Sequence, residues 1–259
     1  MLGKGGFGEV YLCNYQGIEV AVKYMSIEIN NPEIQHEIFL LSRCNSKFVV
    51  KLIGYCHEQN NSAIVLEYLP RGDLSTFLSK HKSTPLVNRY QIGLDVVCGI
   101  SYLHRNGIIH ADIKSPNVLL DEELRGKITD FGVSKYKQSS ESTTIGIAKA
   151  GSYRWMAPEL EENDNSKTTK LSDIFSLGMV LWELMSFVIP FANITVPSRK
   201  YYEITRSEKK EVIPPSTPAV FAQIINACWN NIPEQRPSLD YILENLALEF
   251  SNIQREAVQ

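Results

Sequence analysis

The spacing of hydrophobic residues divides the chain into a strand-rich front and a helix-rich back. Short runs rich in β-branched residues, Val20–Tyr24 and Ala63–Leu66, are typical of strands. Between them, Asn31-Pro32 can begin a helix, because proline is well tolerated at a first helical position. Ile34 and Ile38 then recur at helical spacing. The pattern predicts one helix within a mostly β segment.

After a turn at Pro70-Arg71-Gly72, the spacing changes to that of helices. One predicted helix ends before Gly107, a second runs from a cap at Ser172 to Met185, and a third opens at Pro237. The inward positions of the first and third helices are Ile92, Val96, Ile100 and Leu103, and Leu239, Ile242, Leu246 and Phe250. Strands followed by helices in this way predict an α+β fold.

Composition narrows the class of protein without naming a function. The chain has 259 residues, 44% of them hydrophobic and 21% charged, and this composition is ordinary for a globular protein. It excludes a disordered chain, a collagen and a coiled coil. The formal net charge of −3 argues against a non-specific nucleic-acid binder, which carries a basic excess.

The cysteines indicate a protein of a reducing compartment, and the apolar stretches do not indicate a membrane span. The five cysteines are an odd number without a CxxC pair, so neither a disulfide framework nor a zinc site is favoured. We expect them to be buried thiols. The longest apolar stretch, Gly178–Ala192, includes Glu183 and is shorter than the roughly 20 residues of a membrane span, so it predicts a buried helix. Because the chain does not start with a signal peptide, we expect it to be cytoplasmic, or the cytoplasmic part of a longer protein, without membrane contact.

The chain begins with a glycine-rich segment, Gly3–Val10. Glycines let backbone amides approach phosphate oxygens, but a plain hairpin turn explains the same pattern about as well. The segment is not a phosphate loop of the Gly-Lys-Ser/Thr type, because Glu9 follows Gly8. A dinucleotide fingerprint requires a following helix, whereas Val10–Leu12 is typical of a strand.

Lys23 and Glu37 are charged residues in otherwise apolar elements. A strand lysine more often faces solvent when nothing else is known. Glu37, however, lies at the edge of the apolar stripe of its helix, where a carboxylate needs a partner. We therefore expect Lys23 and Glu37 to form an ion pair.

The densest group of chemically active side chains is His110–Asn117, between the apolar runs Ile108-Ile109 and Val118–Leu120. A site at a strand boundary and a plain turn rich in Asp and Asn both fit this pattern. Farther on, Asp130 follows a short predicted strand, Lys127–Thr129. The oxygen donors of Asn117 and Asp130 suit Mg²⁺ rather than a softer metal.

Taken in order, these segments resemble the catalytic domain of protein kinases, and the resemblance covers nearly the whole chain. The matching motifs are Gly3–Val10, Val20–Lys23, Glu37, His110–Asn117, Asp130–Gly132 and Ala157–Glu159. The resemblance implies a two-lobed protein kinase fold over residues 1–259. Its strand-rich small lobe is expected at 1–69, without the start of the usual first strand, and its helical large lobe at 70–259.

The resemblance also implies ATP and Mg²⁺ as cofactors and assigns the chemistry. Asp112 is expected to accept the proton of the substrate hydroxyl, and Lys114 to steady the γ-phosphoryl group. Asn117 and Asp130 are expected to hold Mg²⁺. Two further residues of the large lobe match supporting positions, Asp173 as a brace of the catalytic loop and Arg236 as the partner of Glu159.

The implied ATP site combines both lobes. Lys23, held by Glu37, orients the α- and β-phosphates under the glycine loop. Four apolar residues enclose adenine. Leu66 is the gatekeeper, and two residues of the hinge that follows it offer main-chain hydrogen bonds to adenine. One carboxylate binds the ribose. The loop glycines are Gly3, Gly5, Gly6 and Gly8, and the residues around adenine are Leu2, Val10, Ala21 and Leu119. The hinge residues are Glu67 and Leu69, and the ribose carboxylate is Asp73.

Two features predict a tyrosine-kinase-like enzyme that acts on Ser and Thr of protein substrates. Lys114 lies two residues after Asp112, as in serine/threonine kinases, and Ser152 stands where those kinases carry Thr. Trp155 resembles the tyrosine-kinase-like group. The oligomeric state is not predicted.

One departure from the family pattern leaves an alternative open. Ala111 stands where most kinases carry an arginine that grips an activation-loop phosphate. The alternative is a pseudokinase, a nucleotide-binding regulatory scaffold without phosphate transfer. The polar segment Ser139–Thr144 offers hydroxyl groups for phosphorylation, and solvated loop residues explain it equally well.

Overall fold

The computed structural model of the chain describes residues 1–5, 8–25, 31–58, 61–136, 152–160, 167–193 and 210–256. Gly6 and Ser139–Thr144, both named in the sequence predictions, lie outside this part. An antiparallel sheet occupies the N-terminal region, and helices dominate the C-terminal region. The α+β prediction is therefore confirmed.

The described strands form one large sheet and two small ones. The large sheet has the order β1-β2-β3-β5-β4, and all its neighbours are antiparallel. Its strands are β1 Gly3–Gly5, β2 Gly8–Tyr15, β3 Ile18–Met25, β4 Leu52–Glu58 and β5 Asn61–Glu67. The shorter strands are β6 Gly72–Asp73, β7 Ile108–Ile109, β8 Val118–Leu120, β9 Gly126–Ile128 and β10 Lys135–Tyr136. The strand predicted at Lys127–Thr129 is therefore present, one residue earlier.

The register of the large sheet decides which residues share a face. Val10 lies opposite Lys23, and Lys23 lies opposite Ile64 on the next strand. Ala21 lies opposite Leu66. Directly opposite residues, and residues two apart along a strand, point to the same side of a sheet. The sheet thus presents Val10, Ala21 and Lys23 together on one face.

The described α-helices lie mainly after the large sheet. They are α1 Pro32–Arg43, α2 Leu74–Lys80, α3 Leu86–Arg105, α4 Lys170–Ser186, α5 Ala219–Cys228 and α6 Leu239–Glu256. In α1, Ile34 and Ile38 are buried as predicted. The four predicted inward positions of α3 are completely buried, at 0% exposure. In α6, Ile242 and Leu246 are completely buried. This helix begins two residues after Pro237, at Leu239.

The prediction that Ser172 caps α4 is wrong, because the cap is Thr169. The Thr169 hydroxyl accepts a hydrogen bond from the Ser172 backbone N–H at 3.2 Å, and Ser172 Oγ accepts one from the Thr169 N–H at 3.0 Å. Each side chain thus satisfies a backbone donor that the first turn of the helix leaves without a partner. Ser172 is the third helical residue of this reciprocal cap.

The apolar stretch from Gly178 onward is not one helix, and this expectation is also corrected. Helix α4 ends at Ser186 because Phe187 adopts a left-handed conformation, with φ 59°. Its N–H still bonds to the Glu183 carbonyl at 2.8 Å. No helix in the described ranges is long and apolar enough to cross a membrane.

The cysteines are free thiols, but most are not buried as expected. Cys228 is buried against α4, whereas Cys56 is exposed and Cys13, Cys44 and Cys98 are half-buried. Cys56 lies on β4, which is an edge strand among the strands that the structure describes and pairs there with β5 alone. A position on an edge strand gives a small side chain fewer groups to cover it.

Candidate active site

The loop between β7 and β8 holds Asp112 in a defined orientation. Asp112 is buried, at 8% exposure, and its Oδ2 accepts hydrogen bonds from Lys114 Nζ at 2.8 Å and from Asn117 Nδ2 at 3.0 Å. Asn117 Nδ2 also donates to the Asp112 carbonyl at 2.8 Å. The Oδ1 atom takes part in none of these bonds, so it is the oxygen that can accept a proton from another molecule.

Lys114 joins this loop to a second segment of the large lobe. Besides Asp112, its ammonium group donates to Ser152 Oγ at 2.7 Å. Ser152 begins a short 3₁₀ helix that ends at Trp155. The lysine and the serine that the sequence analysis singled out are therefore in direct contact.

Asp173, in the first turn of α4, holds the loop of Asp112 through hydrogen bonds to its backbone. Its carboxylate accepts from the backbone N–H groups of His110 and Ala111, both at 2.9 Å, and from His104 Nε2 at 2.8 Å. Ala111 has φ 66°, a left-handed conformation that is unfavourable for a residue with a Cβ atom. Because charge-assisted hydrogen bonds are strong, Asp173 stabilises this conformation. The predicted brace is confirmed.

The predicted ion pair between Lys23 and Glu37 is present. Lys23 Nζ lies 2.7 Å from Glu37 Oε1 and 3.0 Å from Oε2, and Glu37 is 4% exposed. The same ammonium group lies 4.0 Å from Asp130 Oδ1. The pair links β3 to α1 next to the carboxylate of Asp130.

Asn117 and Asp130 are brought together by the pairing of their segments. The N–H of Thr129 donates to the Asn117 carbonyl at 3.0 Å, immediately before Asp130. Both amide hydrogens of Asn117 are used on Asp112, so its side-chain oxygen is the atom left for a ligand. Within the part that the structure describes, no cluster of three or more His, Cys, Asp or Glu side chains could hold a metal. Two oxygen donors fit Mg²⁺, which keeps several waters and binds through few protein groups plus phosphates.

Asp130 is held in an unusual backbone conformation beside a buried aromatic ring. Its φ is 63°, and the next residue, Phe131, is completely buried. The Phe131 ring meets the His110 ring edge to face, with centroids 5.2 Å apart. The packing of Phe131 therefore fixes the direction of the Asp130 carboxylate relative to the loop that carries Asp112.

The residues predicted around adenine come from both lobes. Val10, Ala21 and Leu119 are half-buried, and Leu2 is 45% exposed, with its N–H bonded to the Val10 carbonyl at 2.7 Å. Leu119 lies opposite Asp73 in the pair β6–β8. The Asp73 carboxylate already has a structural task, because its Oδ1 accepts from Thr76 N at 2.8 Å and caps α2.

The predicted hinge residues already use some of their backbone groups. The N–H of Glu67 donates to the Lys51 carbonyl at 3.0 Å, and the Leu69 carbonyl accepts from Gly72 N at 3.2 Å. Neither of these two bonds uses the Glu67 carbonyl or the Leu69 N–H. The Glu67 side chain accepts from Lys127 Nζ at 2.6 Å, on β9 of the large lobe.

The glycine segment forms a hairpin in which β1 pairs with β2. Gly5 lies opposite Gly8, and a Cβ atom at Gly8 would lie 1.7 Å from the Tyr24 carbonyl oxygen. Glycine is thus required at position 8 by the close approach of β3, independently of any phosphate. A Cβ at Gly3 would meet nothing within 4 Å, so that face of β1 is open.

The comparison with known families decides the identity of this arrangement. A family model described as protein tyrosine and serine/threonine kinase matches residues 1–246. The chain belongs to the protein kinase family.

Relatives of the kinase domain are named as serine/threonine or serine/threonine/tyrosine kinases. The chain is 34% identical to serine/threonine-protein kinase STY17 of Arabidopsis thaliana, over 93% of this chain and 42% of that protein. It is 33% identical to serine/threonine-protein kinase CTR1 of the same organism, over 95% and 30%. It is 31% identical to serine/threonine/tyrosine-protein kinase HT1 of Arabidopsis thaliana, over 92% of this chain and 62% of that protein. The chain spans less than half the length of STY17 and CTR1. Nothing in the comparisons supports the pseudokinase alternative.

The ion pair predicted between Glu159 and Arg236 completes the large lobe of the kinase domain. The two guanidinium nitrogens Nη1 and Nη2 donate to the two carboxylate oxygens at 2.6 and 2.7 Å. The Arg236 side chain is completely buried, and it stacks on the Phe175 ring at 5.1 Å. A bidentate pair of this kind fixes both position and orientation. It anchors the end of the Ala157–Glu159 motif to the segment before α6.

Sequence reasoning missed Glu183, which links two parts of the site. One carboxylate oxygen accepts from Ser115 Oγ at 2.7 Å and the other from Trp155 Nε1 at 2.6 Å. Glu183 is 2% exposed in the middle of α4. A single carboxylate in an apolar helix needs such partners, and this was the signal available in the sequence. The residue connects the loop of Asp112 to the turn of Ser152.

We predict that Glu183 makes the stability of the kinase domain depend on pH. Burial raises the pKa of its carboxyl to about 8, only partly offset by the hydrogen bonds from Ser115 and Trp155. The folded state therefore binds a proton that the unfolded state releases above its ordinary pKa of 4.5. The resulting stability is present at low pH and lost as pH rises through about 8, with a slope of up to about 1.4 kcal/mol per pH unit.

Urea unfolding of the wild type and Glu183→Gln checks this prediction. Between about pH 5 and pH 8, the wild type should lose at least about 2 kcal/mol of unfolding free energy relative to the variant, because glutamine does not titrate. The difference between the two proteins cancels the other titrating groups. Parallel pH curves for the two proteins would contradict it.

Proposed function

We propose that the domain transfers the γ-phosphate of ATP to Ser and Thr hydroxyls of protein substrates, with Asp112 as the base. The observation that carries the proposal is the clamped carboxylate of Asp112. Its Oδ2 is bound by Lys114 and Asn117, and Lys114 also contacts Ser152. A base held in this way uses one oxygen for its orientation, and Oδ1 is the atom proposed to accept the proton of a substrate hydroxyl.

The proposed phosphate subsite lies between the two lobes. Lys23, fixed by Glu37, binds the α- and β-phosphates, and the glycine loop of Gly3, Gly5, Gly6 and Gly8 covers them. Asn117 and Asp130 hold Mg²⁺, which supplies neutralisation of the phosphate charge. The 4.0 Å between Lys23 Nζ and Asp130 Oδ1 supports this assignment, because a lysine that binds the phosphates and a carboxylate that holds their Mg²⁺ must lie close together. Catalysis by such a site consists mainly of positioning and charge stabilisation.

The proposed nucleoside subsite uses apolar contacts and the hinge. Leu2, Val10, Ala21 and Leu119 enclose adenine, and the cross-strand register of β2, β3 and β5 supports the grouping of the small-lobe members. We assign the adenine hydrogen bonds to the Glu67 carbonyl and the Leu69 N–H. Asp73 binds the ribose through the oxygen that does not cap α2.

We further propose that one kinase domain extends over residues 1–259, with lobes at 1–69 and 70–259, and that it acts in the cytoplasm. The end of β5 at Glu67 and the start of α2 at Leu74 support the boundary. The contact between Lys114 and Ser152 supports a preference for Ser and Thr over Tyr, because it joins the two residues whose positions resemble those of serine/threonine kinases.

The proposal is tested by incubating the protein with radiolabelled ATP, Mg²⁺ and a generic protein substrate. We expect label on phosphoserine and phosphothreonine, and none when Mg²⁺ is removed with a chelator. The control is Asp130→Ala, which should lose both transfer and the rise in melting temperature that ATP and Mg²⁺ cause together. Equal labelling by this variant and the wild type would overturn the function. Label mainly on phosphotyrosine would overturn the substrate class.

A further inference from the structure

A hydrogen bond connects helix α1 of the small lobe to the segment that follows Asp130-Phe131-Gly132. His36 Nε2 lies 2.8 Å from the main-chain oxygen of Ser134, a residue 98 positions away in the chain. A carbonyl oxygen only accepts hydrogen bonds, so Nε2 is the protonated nitrogen of the imidazole. The bond is half-buried, which reduces competition from water for the same carbonyl.

Ser134 is itself fixed to the large lobe. It is 3% exposed, its N–H donates to the Phe131 carbonyl at 3.1 Å, and its Oγ donates to the His110 carbonyl at 3.0 Å. The next two residues form β10, which pairs with β7 directly before the loop of Asp112. The carbonyl that His36 contacts is therefore held at a constant position relative to that loop.

His36 lies next to the glutamate of the ion pair in α1, so its hydrogen bond also affects the position of that glutamate. The next residue of α1 is Glu37, the partner of Lys23. If α1 moved away from β3 and Ser134, the distance from His36 to Ser134 and the distance from Glu37 to Lys23 would both increase. Hence the hydrogen bond to Ser134 stabilises the helix position in which the ion pair forms.

The same link needs no phosphate. Ala111 lacks the guanidinium that the family pattern uses to grip an activation-loop phosphate, whereas the bond from His36 to Ser134 uses a ring nitrogen and a backbone oxygen. The bond from His36 to Ser134 and the bond from Ser134 Oγ to His110 both end on backbone carbonyl oxygens, so neither requires a phosphate group. The helix can thus be held in place without loop phosphorylation.

We propose that His36 is a positioning residue, which couples α1 to the catalytic loop through Ser134 and so keeps Glu37 paired with Lys23. The inference rests on the proposed kinase function for its effect on rate. Its effect on the helix does not depend on that function. The two can therefore fail separately.

Two substitutions at position 36 separate the hydrogen bond from the rest of the side chain. His36→Leu removes the donor, and we expect kcat to fall about fivefold with an unchanged KM for the substrate peptide. His36→Gln places an amide nitrogen the same number of bonds from the backbone, and kcat should return to within about twofold of wild type. His81→Leu is the matched control. Its ring also contacts a main-chain oxygen, that of Phe77 in α2, and this bond does not involve α1, so kcat should stay at the wild-type value.

Amide hydrogen exchange along α1 gives a readout that does not need activity. In His36→Leu, the amides of α1 should exchange about fivefold faster, while those of α3 keep their wild-type rates. Ser134→Ala removes the bond to His110 and should have the same effect, with no further increase when the two substitutions are combined. This second variant also serves if His36→Leu does not fold.

Each result decides between the proposals. Wild-type rates and exchange in His36→Leu, or an equal loss in His36→Leu and His36→Gln, would overturn the positioning role. An effect that is fully additive with Ser134→Ala would also overturn it, because independent sites add. If the wild type transfers no phosphate, the proposed function fails, and the exchange of α1 alone decides the role of His36.

Discussion

Replacing Asp112 with asparagine lowers kcat for phosphate transfer by about a thousandfold and leaves the melting temperature close to that of the wild type. A positioned general base contributes about 10²- to 10⁴-fold, and asparagine cannot accept the proton. The fold survives because the asparagine oxygen can still accept the bonds that Lys114 and Asn117 now donate to Oδ2. Steady-state kinetics with a Ser-containing peptide, together with thermal melts, measure both effects.

The control for this substitution is Asp240→Asn. Asp240 pairs with Arg105 on the surface of the large lobe, where both side chains are mostly exposed. Exposed pairs contribute little to stability, so this variant should match the wild type in rate and melting temperature. Activity of Asp112→Asn within threefold of wild type would remove Asp112 from the mechanism. A large fall in melting temperature would show that its role is structural instead.

Replacing Lys23 with methionine should lower kcat at least a hundredfold and also destabilise the fold. The rate falls because a preorganised charge directed at the phosphates is lost, an effect worth about 3 kcal/mol in the transition state. The stability falls because the Glu37 carboxylate, at 4% exposure, loses the ammonium group that compensates its burial. Breaking a buried pair by removing one member costs about 3 kcal/mol or more of unfolding free energy.

A second substitution separates these two effects. Adding Glu37→Gln to Lys23→Met removes the uncompensated charge, so the melting temperature should recover while kcat stays low. Lys51→Met, at an exposed position of the small lobe, is the matched control and should keep wild-type activity. If the double variant regains activity along with stability, Lys23 acts only through folding, and its assignment to the phosphates is wrong.

The parts of the site that the sequence predicted correctly are those in which side-chain type carries the information. The pair of Lys23 and Glu37 was predictable because each charge stands in an apolar element and needs the other. The bond between His36 and Ser134 was not, because its acceptor is a backbone carbonyl, which any residue type provides. No pattern of residue types distinguishes a backbone oxygen that will meet a distant helix.

Ambiguity of another kind affects Thr169 and Gly8. In the reciprocal cap of α4, both Thr169 and Ser172 are residues that favour a cap, so composition could not decide which comes first. At Gly8, the glycine pattern indicated phosphate binding, while the contact with the Tyr24 carbonyl gives a second reason for the same residue. One residue type then satisfies two physical requirements, and only the packing separates them.

The brace formed by Asp173 has a consequence for the entropy of the reaction. Its carboxylate holds two successive backbone N–H groups and His104 within the folded large lobe, before any substrate arrives. The conformational entropy of the loop that carries Asp112 is therefore lost when the protein folds and not when it reaches the transition state. A loop ordered in advance in this way leaves the activation entropy of phosphate transfer to be set mainly by the arrival and alignment of the protein substrate.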